Sequence, residues 1–210
     1  MNVTEFFHSF WDGLRATSAW EAIAVIAGIV SVYFSQREHV LVYPTGLVNT
    51  IIYIYLSFVG GLIGEASVNF YYTIMSLYGW YLWTRTDTRQ QHVWQIRFSN
   101  KTEWLQQVLF FAVCYGILFL ILEEVKKGFA PGAIPWADAF ASATAYTGMW
   151  LMARKKVESW YWWIATNLAS IPLYAVKGYA FTSVYYTILF IMAISGLYSW
   201  KRKARAVQTN

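Results

Sequence analysis

Residues 160–172 read WYWWIATNLASIP, and the way this run folds decides the reading of the whole chain. At about 100° per residue, Trp160, Trp163 and Asn167 share one face of a helix, while Trp162 points elsewhere. One face therefore carries two flat π-surfaces and one amide. If this helix crosses a bilayer, the amide sits in hydrocarbon, where an unpartnered amide costs roughly 2–7 kcal/mol. A neighbouring helix, or a ligand with a planar ring and hydrogen-bonding edges, is the expected partner.

The rest of the composition places that helix in a membrane. Of 210 residues, 58% are hydrophobic and only 13% charged, about half the charged share of a soluble domain. All eleven acidic residues and the three histidines, His8, His39 and His92, fall in polar segments or at the rims of apolar runs, and Cys114 is the only cysteine. No metal cluster, Cys/His nucleophile pair or intramolecular disulfide can be assembled inside the membrane from this set, and no cofactor is expected. The net charge of +5 does not point to nucleic acid, because the basic residues flank apolar runs instead of forming a stripe. The opening MNVTEFFHSFW lacks the basic start and small-residue cleavage site of a secretory signal.

Residues 4–17 space Phe6, Phe7, Phe10, Trp11 and Leu14 as one face of a helix too short and polar to span, which predicts an in-plane interfacial segment. Apolar runs follow at about 20–36, 39–59, 66–84, 104–124, 135–153, 159–177 and 180–200, each near the ~20 residues needed to cross ~30 Å. Lys and Arg, counted over alternate loops, fall twelve on one side (Arg37; Arg85, Arg89, Arg97, Lys101; Arg154, Lys155, Lys156; Lys201, Arg202, Lys203, Arg205) and four on the other (Arg15, Lys126, Lys127, Lys177). The richer side is cytoplasmic. The N-terminus is then outside and the C-terminus inside.

An internal repeat organises the seven spans. Tyr71-Tyr72-Thr73-Ile74 recurs as Tyr185-Tyr186-Thr187-Ile188, and each copy is followed by G-x-x-x-W, Gly79 to Trp83 and Gly196 to Trp200. Tyr43 to Asn49 lays over Tyr161 to Asn167, which makes the two Asn residues pseudo-equivalent. The expected fold is all-α: two parallel three-helix repeats joined by a linker helix, 3+1+3. Its parts are an interfacial segment 1–19, a first bundle 20–84, a loop and linker helix 85–134, a second bundle 135–200 and a basic tail 201–210.

Asn167 lies eleven residues from Lys156 and Asn49 twelve from Arg37, about 16–18 Å into the membrane at helical rise. Both reach the midplane, where repeat-built transporters hold substrate. Asn69 lies further outward on the third span and Tyr72 one turn deeper. Plainer roles compete: a membrane Asn often serves only to bond a neighbouring helix, and tryptophans often form an interfacial belt. The belt suits Trp80, Trp83, Trp150 and Trp200, and Trp160 four residues past Lys156 also fits it. Trp163, a turn deeper, does not. Pro172 and Pro44 introduce kinks, and Pro172 frees the carbonyl of Leu168 beside Asn167.

The W-x-x-W-x-x-x-N spacing of Trp160, Trp163 and Asn167 resembles the pattern of the PnuC family of nicotinamide riboside transporters. Tyr78-Gly79-Trp80-Tyr81-x-Trp83 is similar to that family's segment closing the third span. The resemblance runs over Pro44 to Trp83 and Trp160 to Trp200. It implies a SWEET-like fold in the inner membrane and passive uptake of nicotinamide riboside, trapped by a cytoplasmic kinase. It also implies an amide on the third span, often Gln in the family and Asn69 here. Substrate contacts are then expected from Trp160, Trp163, Asn167, Asn69, Asn49 and Tyr72. Thiamine, another vitamin-like molecule or a sugar is the alternative substrate, and a homo-oligomer is compatible with this reading. A seven-helix receptor or retinal protein would need a lysine inside the last span, and Lys177 sits at a rim. A membrane enzyme would need clustered acids or histidines facing a cavity, and there is no G-x-x-x-x-G-K-[ST] phosphate loop.

Overall fold

A computed structural model of the chain describes residues 3–59, 63–86, 93–128 and 133–209. Arg89 and His92, and the terminal Asn210, lie outside them. The chain runs through eight helices: α1 (Val3–Ala16), α2 (Ala19–Gln36), α3 (Val42–Val59), α4 (Ile63–Thr84), α5 (Lys101–Lys126), α6 (Pro135–Ala153), α7 (Ser159–Val176) and α8 (Ala180–Thr209). Among the described residues there is no strand; Arg97 and Lys156 form an isolated bridge. The helices begin and end within a few residues of the expected runs, except that α8 continues as helix through the basic tail. Four of them, α2, α3, α5 and α8, are long and apolar enough to cross a membrane on those grounds alone. Of the others, α4, α6 and α7 bury part of their polar set, among it Ser76, Thr144, Thr147, Thr166 and Asn167.

Packing arranges six of these helices as a ring. Helix α3 packs between α2 and α4, and α7 between α6 and α8; α4 then meets α6, and α8 meets α2. Helix α5 lies outside the ring on α6, and α1 lies outside on α8. Phe10 and Gly13 of α1 seat on Phe181, and Ser9 Oγ donates to the Gly178 carbonyl at 2.6 Å. The outer face of α1 keeps Phe7 and Trp11 exposed, as an interfacial helix requires.

Several turns and contacts of one half of the ring recur in the other at a spacing of 117 residues. Glu38 and Lys155 both adopt positive φ, 61° and 52°, and each ends its helix in a Schellman turn. His39 N–H reaches the Phe34 carbonyl at 2.9 Å and Lys156 N–H the Leu151 carbonyl at 3.0 Å. Arg37 lies over the ring of Tyr33, and Arg154 over that of Trp150. Tyr43 presses on Gly79 and Trp160 on Gly196, so closely that a Cβ at either glycine would collide with the ring. Trp83 donates to the Ala153 carbonyl at 3.1 Å, and Trp200 to the Ser35 carbonyl at 2.9 Å.

This spacing corrects two alignments drawn from residue identity. Tyr43 pairs with Trp160, not Tyr161, so Thr50 is the counterpart of Asn167 and Asn49 that of Thr166. A one-residue slip turns a helix position by about 100°. The shared Tyr-Tyr-Thr-Ile segments are offset by three residues, nearly one turn, from the contact-defined match. Trp83 and Trp200 also leave the interfacial belt: they are 2% and 0% exposed, because their indole N–H groups span the two halves of the ring.

Ion pairs lock the loops at the end where α2 meets α3 and α6 meets α7. Lys155 reaches Glu38 at 2.8 Å and Lys203 reaches the same carboxylate at 3.0 Å, so the two positive-φ residues are each other's partners. Lys156, with its side chain 1% exposed, lies 2.6 Å from Glu103 at the start of α5. Burial works to raise the pKa of Glu103, but the Lys156 ammonium, the Asn100 N–H and Arg97 outweigh it and hold the carboxyl down at about 2. Glu158 accepts from the backbone and hydroxyl of Ser99, which in turn accepts from Gln107 of α5.

Candidate functional site

Helix α7 presents its aromatic and amide residues in the order the helical period dictates, and its neighbours divide them into three groups. Trp162 turns outward to α5, where its indole donates to Gln107 Oε1 at 3.2 Å and its ring lies 5.1 Å from that of Phe111. Trp160 turns to the basic end of the ring. It is 1% exposed and meets Trp200 edge-on at 5.6 Å. With Trp83 and Tyr43 it completes a row of four rings crossing from α7 to α3, the successive centroids 5.6, 6.0 and 5.2 Å apart.

Trp163 and Asn167 form the third group, one and two turns further in. The Trp163 ring lies flat on Gly148 of α6, where an added Cβ would sit 3.2 Å from the indole. Its other neighbour is Tyr72 of α4, with ring centroids 6.2 Å apart and planes inclined by 54°. Tyr72 in turn meets Tyr146 of α6 edge-on at 6.3 Å, and Tyr71 lies on Tyr146 at 4.4 Å while donating to its carbonyl at 3.1 Å. On α8 the ring of Tyr186 stacks on Tyr174 at 5.2 Å, and the Tyr185 hydroxyl comes up to Gly28 of α2. Aromatic side chains from α4, α6 and α7 thus converge on the inside of the ring.

Within this aromatic setting, Asn167 is 3% exposed, and among the described residues its side-chain amide makes no hydrogen bond. It is not one of the buried polar atoms sealed from solvent, so the amide faces interior space. The hydroxyl of Tyr72 and the indole N–H of Trp163 likewise make no hydrogen bond among the described residues. Three donors or acceptors on two facing helices are left open beside two aromatic faces. Such a set can grip a flat, polar-edged ring: stacking is insensitive to the ring's in-plane orientation, while the amide fixes it.

The remaining expected residues lie elsewhere. Asn49 donates to the Ala24 carbonyl of α2 at 2.7 Å and lies beside Gly28, where the Tyr185 hydroxyl also approaches. Its amide is engaged in holding α3 to α2, the plainer role of a membrane Asn. Asn69 lies on α4 one turn from Thr73, whose hydroxyl donates to the Asn69 carbonyl at 2.9 Å and lies 2.9 Å from the Thr50 hydroxyl. Tyr146 and Gly148 belong to no motif and were not anticipated. The signal for them was the run of small residues on α6, Ala139 to Gly148, which lets large rings from α4 and α7 lie against its backbone. Among the described residues, no three His, Cys, Asp or Glu gather as metal ligands.

The family model described as nicotinamide mononucleotide transporter matches residues 18–202. The nicotinamide riboside transporter PnuC of Escherichia coli is 25% identical over 205 residues, covering 88% of this chain and 86% of the relative. A riboflavin/roseoflavin transporter, RibM of Streptomyces davaonensis, is also 25% identical, over 189 residues and with 88% and 85% coverage. A crystal structure of the vitamin B3 transporter PnuC superposes with a TM-score of 0.70 at 19% identity, covering 97% of this chain and 90% of that one. That likeness shows a common fold.

Proposed function

Because the chain belongs to the nicotinamide mononucleotide transporter family, we propose that it takes up nicotinamide riboside by facilitated diffusion. It is a multi-pass inner-membrane transporter and not an enzyme. The observation that carries the substrate reading is the buried amide of Asn167, without a partner among the described residues, beside the faces of Trp163 and Tyr72. Nicotinamide riboside is a flat pyridinium cation bearing a carboxamide and a ribose. Aromatic faces attract a cation by about 0.5–2 kcal/mol, and an Asn amide pairs with a carboxamide through one donor and one acceptor. Trp163, Asn167, Tyr72 and Asn69 bind the substrate in this reading; Trp160 closes the site toward the basic end, and Asn49 supports it through α2. Riboflavin is the second reading, favoured by the similarity to RibM, which equals that to PnuC in percent identity.

In the proposed topology α2 to α8 span the bilayer as two parallel three-helix repeats, 20–84 and 135–200, joined by α5 within 85–134. Residues 1–19 lie outside and 201–210 in the cytoplasm. The 117-residue match of turns and glycine contacts supports the repeat, and the twelve-to-four distribution of Lys and Arg supports the orientation. Substrate that only equilibrates across the membrane accumulates when a cytoplasmic kinase phosphorylates it. The test is titration of purified protein with nicotinamide riboside, riboflavin, thiamine and a monosaccharide, followed by tryptophan fluorescence. Saturable quenching by nicotinamide riboside is expected. Its absence, with saturation by one of the others, would reassign the substrate.

A further inference from the structure

The two halves of the ring differ most where Trp163 stands. Subtracting 117 from Trp163 gives Gly46 on α3, and subtracting it from Gly148 gives Ser31 on α2. The structure pairs them in the same way: a Cβ at Gly148 would lie 3.2 Å from the Trp163 ring, and one at Gly46 would lie 3.1 Å from Ser31 Oγ. Helices α3 and α7 stand opposite each other in the six-helix ring, and Gly46 follows Tyr43 by three residues as Trp163 follows Trp160. Gly46 therefore faces Trp163 across the ring at matching depth. One half fills this level with an indole, and the other has bare backbone and one small hydroxyl.

A second polar group opens on the same spot. Ser76 of α4, at 2% exposure, has its Oγ 3.8 Å from where a Gly46 Cβ would be. Among the described residues that hydroxyl makes no hydrogen bond, and it is not among the sealed buried atoms. A hydroxyl left without a protein partner and not sealed off can bond a guest through its donor or its acceptor sites. Ser31 Oγ, on the other side of Gly46, already donates to the Val42 carbonyl at 2.8 Å.

We infer that the substrate's planar ring lies in a slot between the Trp163 indole and the bare backbone at Gly46, with the Ser76 hydroxyl bonding its edge. Gly46 and Ser76 are then specificity-determining residues: the absence of a side chain at 46 sets the room for the ring, and Ser76 selects a polar edge. The inference rests on the proposed uptake of a flat, vitamin-like molecule, and deepens it by assigning the half of the site opposite the aromatic residues.

The test is binding of nicotinamide riboside to purified variants, with thermal melting as the check on folding. Gly46→Leu is made together with Ser31→Gly, which removes the oxygen 3.1 Å from the added Cβ, so that helix crowding is not what is measured. The double variant is expected to melt near wild type and to bind roughly 10- to 100-fold more weakly, the effect of overfilling a packed site. Ser76→Ala, which only removes an atom, is expected to weaken binding roughly 5- to 30-fold. Wild-type affinity in a normally melting double variant overturns the slot. If the double variant does not fold, Ser76→Ala decides, and unchanged affinity there overturns it. If wild-type protein binds riboflavin but not nicotinamide riboside, the functional reading falls and the same variants test the slot with riboflavin. Binding of neither by the wild type overturns both.

Discussion

Replacing Asn167 with Leu should push stability and binding in opposite directions. The residue is 3% exposed and its amide has no partner among the described residues, so replacing it with an apolar side chain breaks none of their hydrogen bonds in the empty protein. Leu has a similar branched shape and no polar atom, so the variant should insert normally and melt at or above the wild-type temperature. In the loaded protein the substrate group that Asn167 satisfies is left unpaired, costing about 1–3 kcal/mol, or roughly 5- to 150-fold in Kd. Purified variant and wild type are compared by thermal melting without substrate and by fluorescence titration with it. Trp163→Ala should likewise weaken binding, through lost stacking against the ring. Trp162→Ala should lower stability through its Gln107 and Phe111 contacts and leave Kd unchanged. A less stable Asn167→Leu with wild-type affinity, or equal binding losses at Trp162 and Trp163, would refute this placement of the helix.

Glu103→Gln should cost about 3 kcal/mol, because it strands the buried Lys156 charge; chemical denaturation of the variant against wild type measures it. The same pair sets an acid limit. The Glu103 carboxyl is held at about 2, below its ordinary 4.5, so its stabilisation is complete above pH 4.5 and fades as pH falls toward 2. A wild-type melting profile should show that loss, and Glu103→Gln should flatten it. A reporter fused after Asn210 should be active only as a cytoplasmic reporter, and activity of a periplasmic one would reverse the proposed orientation.

The helices were legible because each apolar run is bounded by charges, and the helical period alone separated Trp162 from Trp163. The register of the repeat was not. Matching on identity paired Tyr43 with Tyr161 and Asn49 with Asn167, whereas the structure equates positions by what they press on: Tyr43 on Gly79, Trp160 on Gly196. Two different ring systems fill one role, and no residue-by-residue comparison sees that. The burial of Trp83 and Trp200 was hidden for a related reason. An indole at the end of an apolar run reads as a lipid anchor until the carbonyl it reaches, on a helix 70 or 165 residues away, is known. Tyr146 and Gly148 carried no signal beyond the small size of their neighbours on α6.

The placement of charge leads to the last prediction, that transport is coupled to neither protons nor ATP. Proton-driven carriers need ionisable relays within the membrane. Here Glu38, Glu103 and Glu158 are bound into the loops at one end, and Asp138 pairs with Lys177 at 2.6 Å at the other. Between them, the inner faces of α3, α4, α6, α7 and α8 offer amides, hydroxyls and rings. A carrier that binds the same ligand from both sides cannot shift the ratio of concentrations, so substrate should only equilibrate. Liposomes holding this protein alone should fill with labelled substrate to a level insensitive to an imposed pH gradient. For a cationic substrate the membrane potential must be clamped at zero, since each 100 mV biases one charge by about 2.3 kcal/mol. Uptake above equilibrium under that clamp, driven by the pH gradient, would refute the mechanism. Glu21, Asp138 and Glu65 would then be the groups to substitute first.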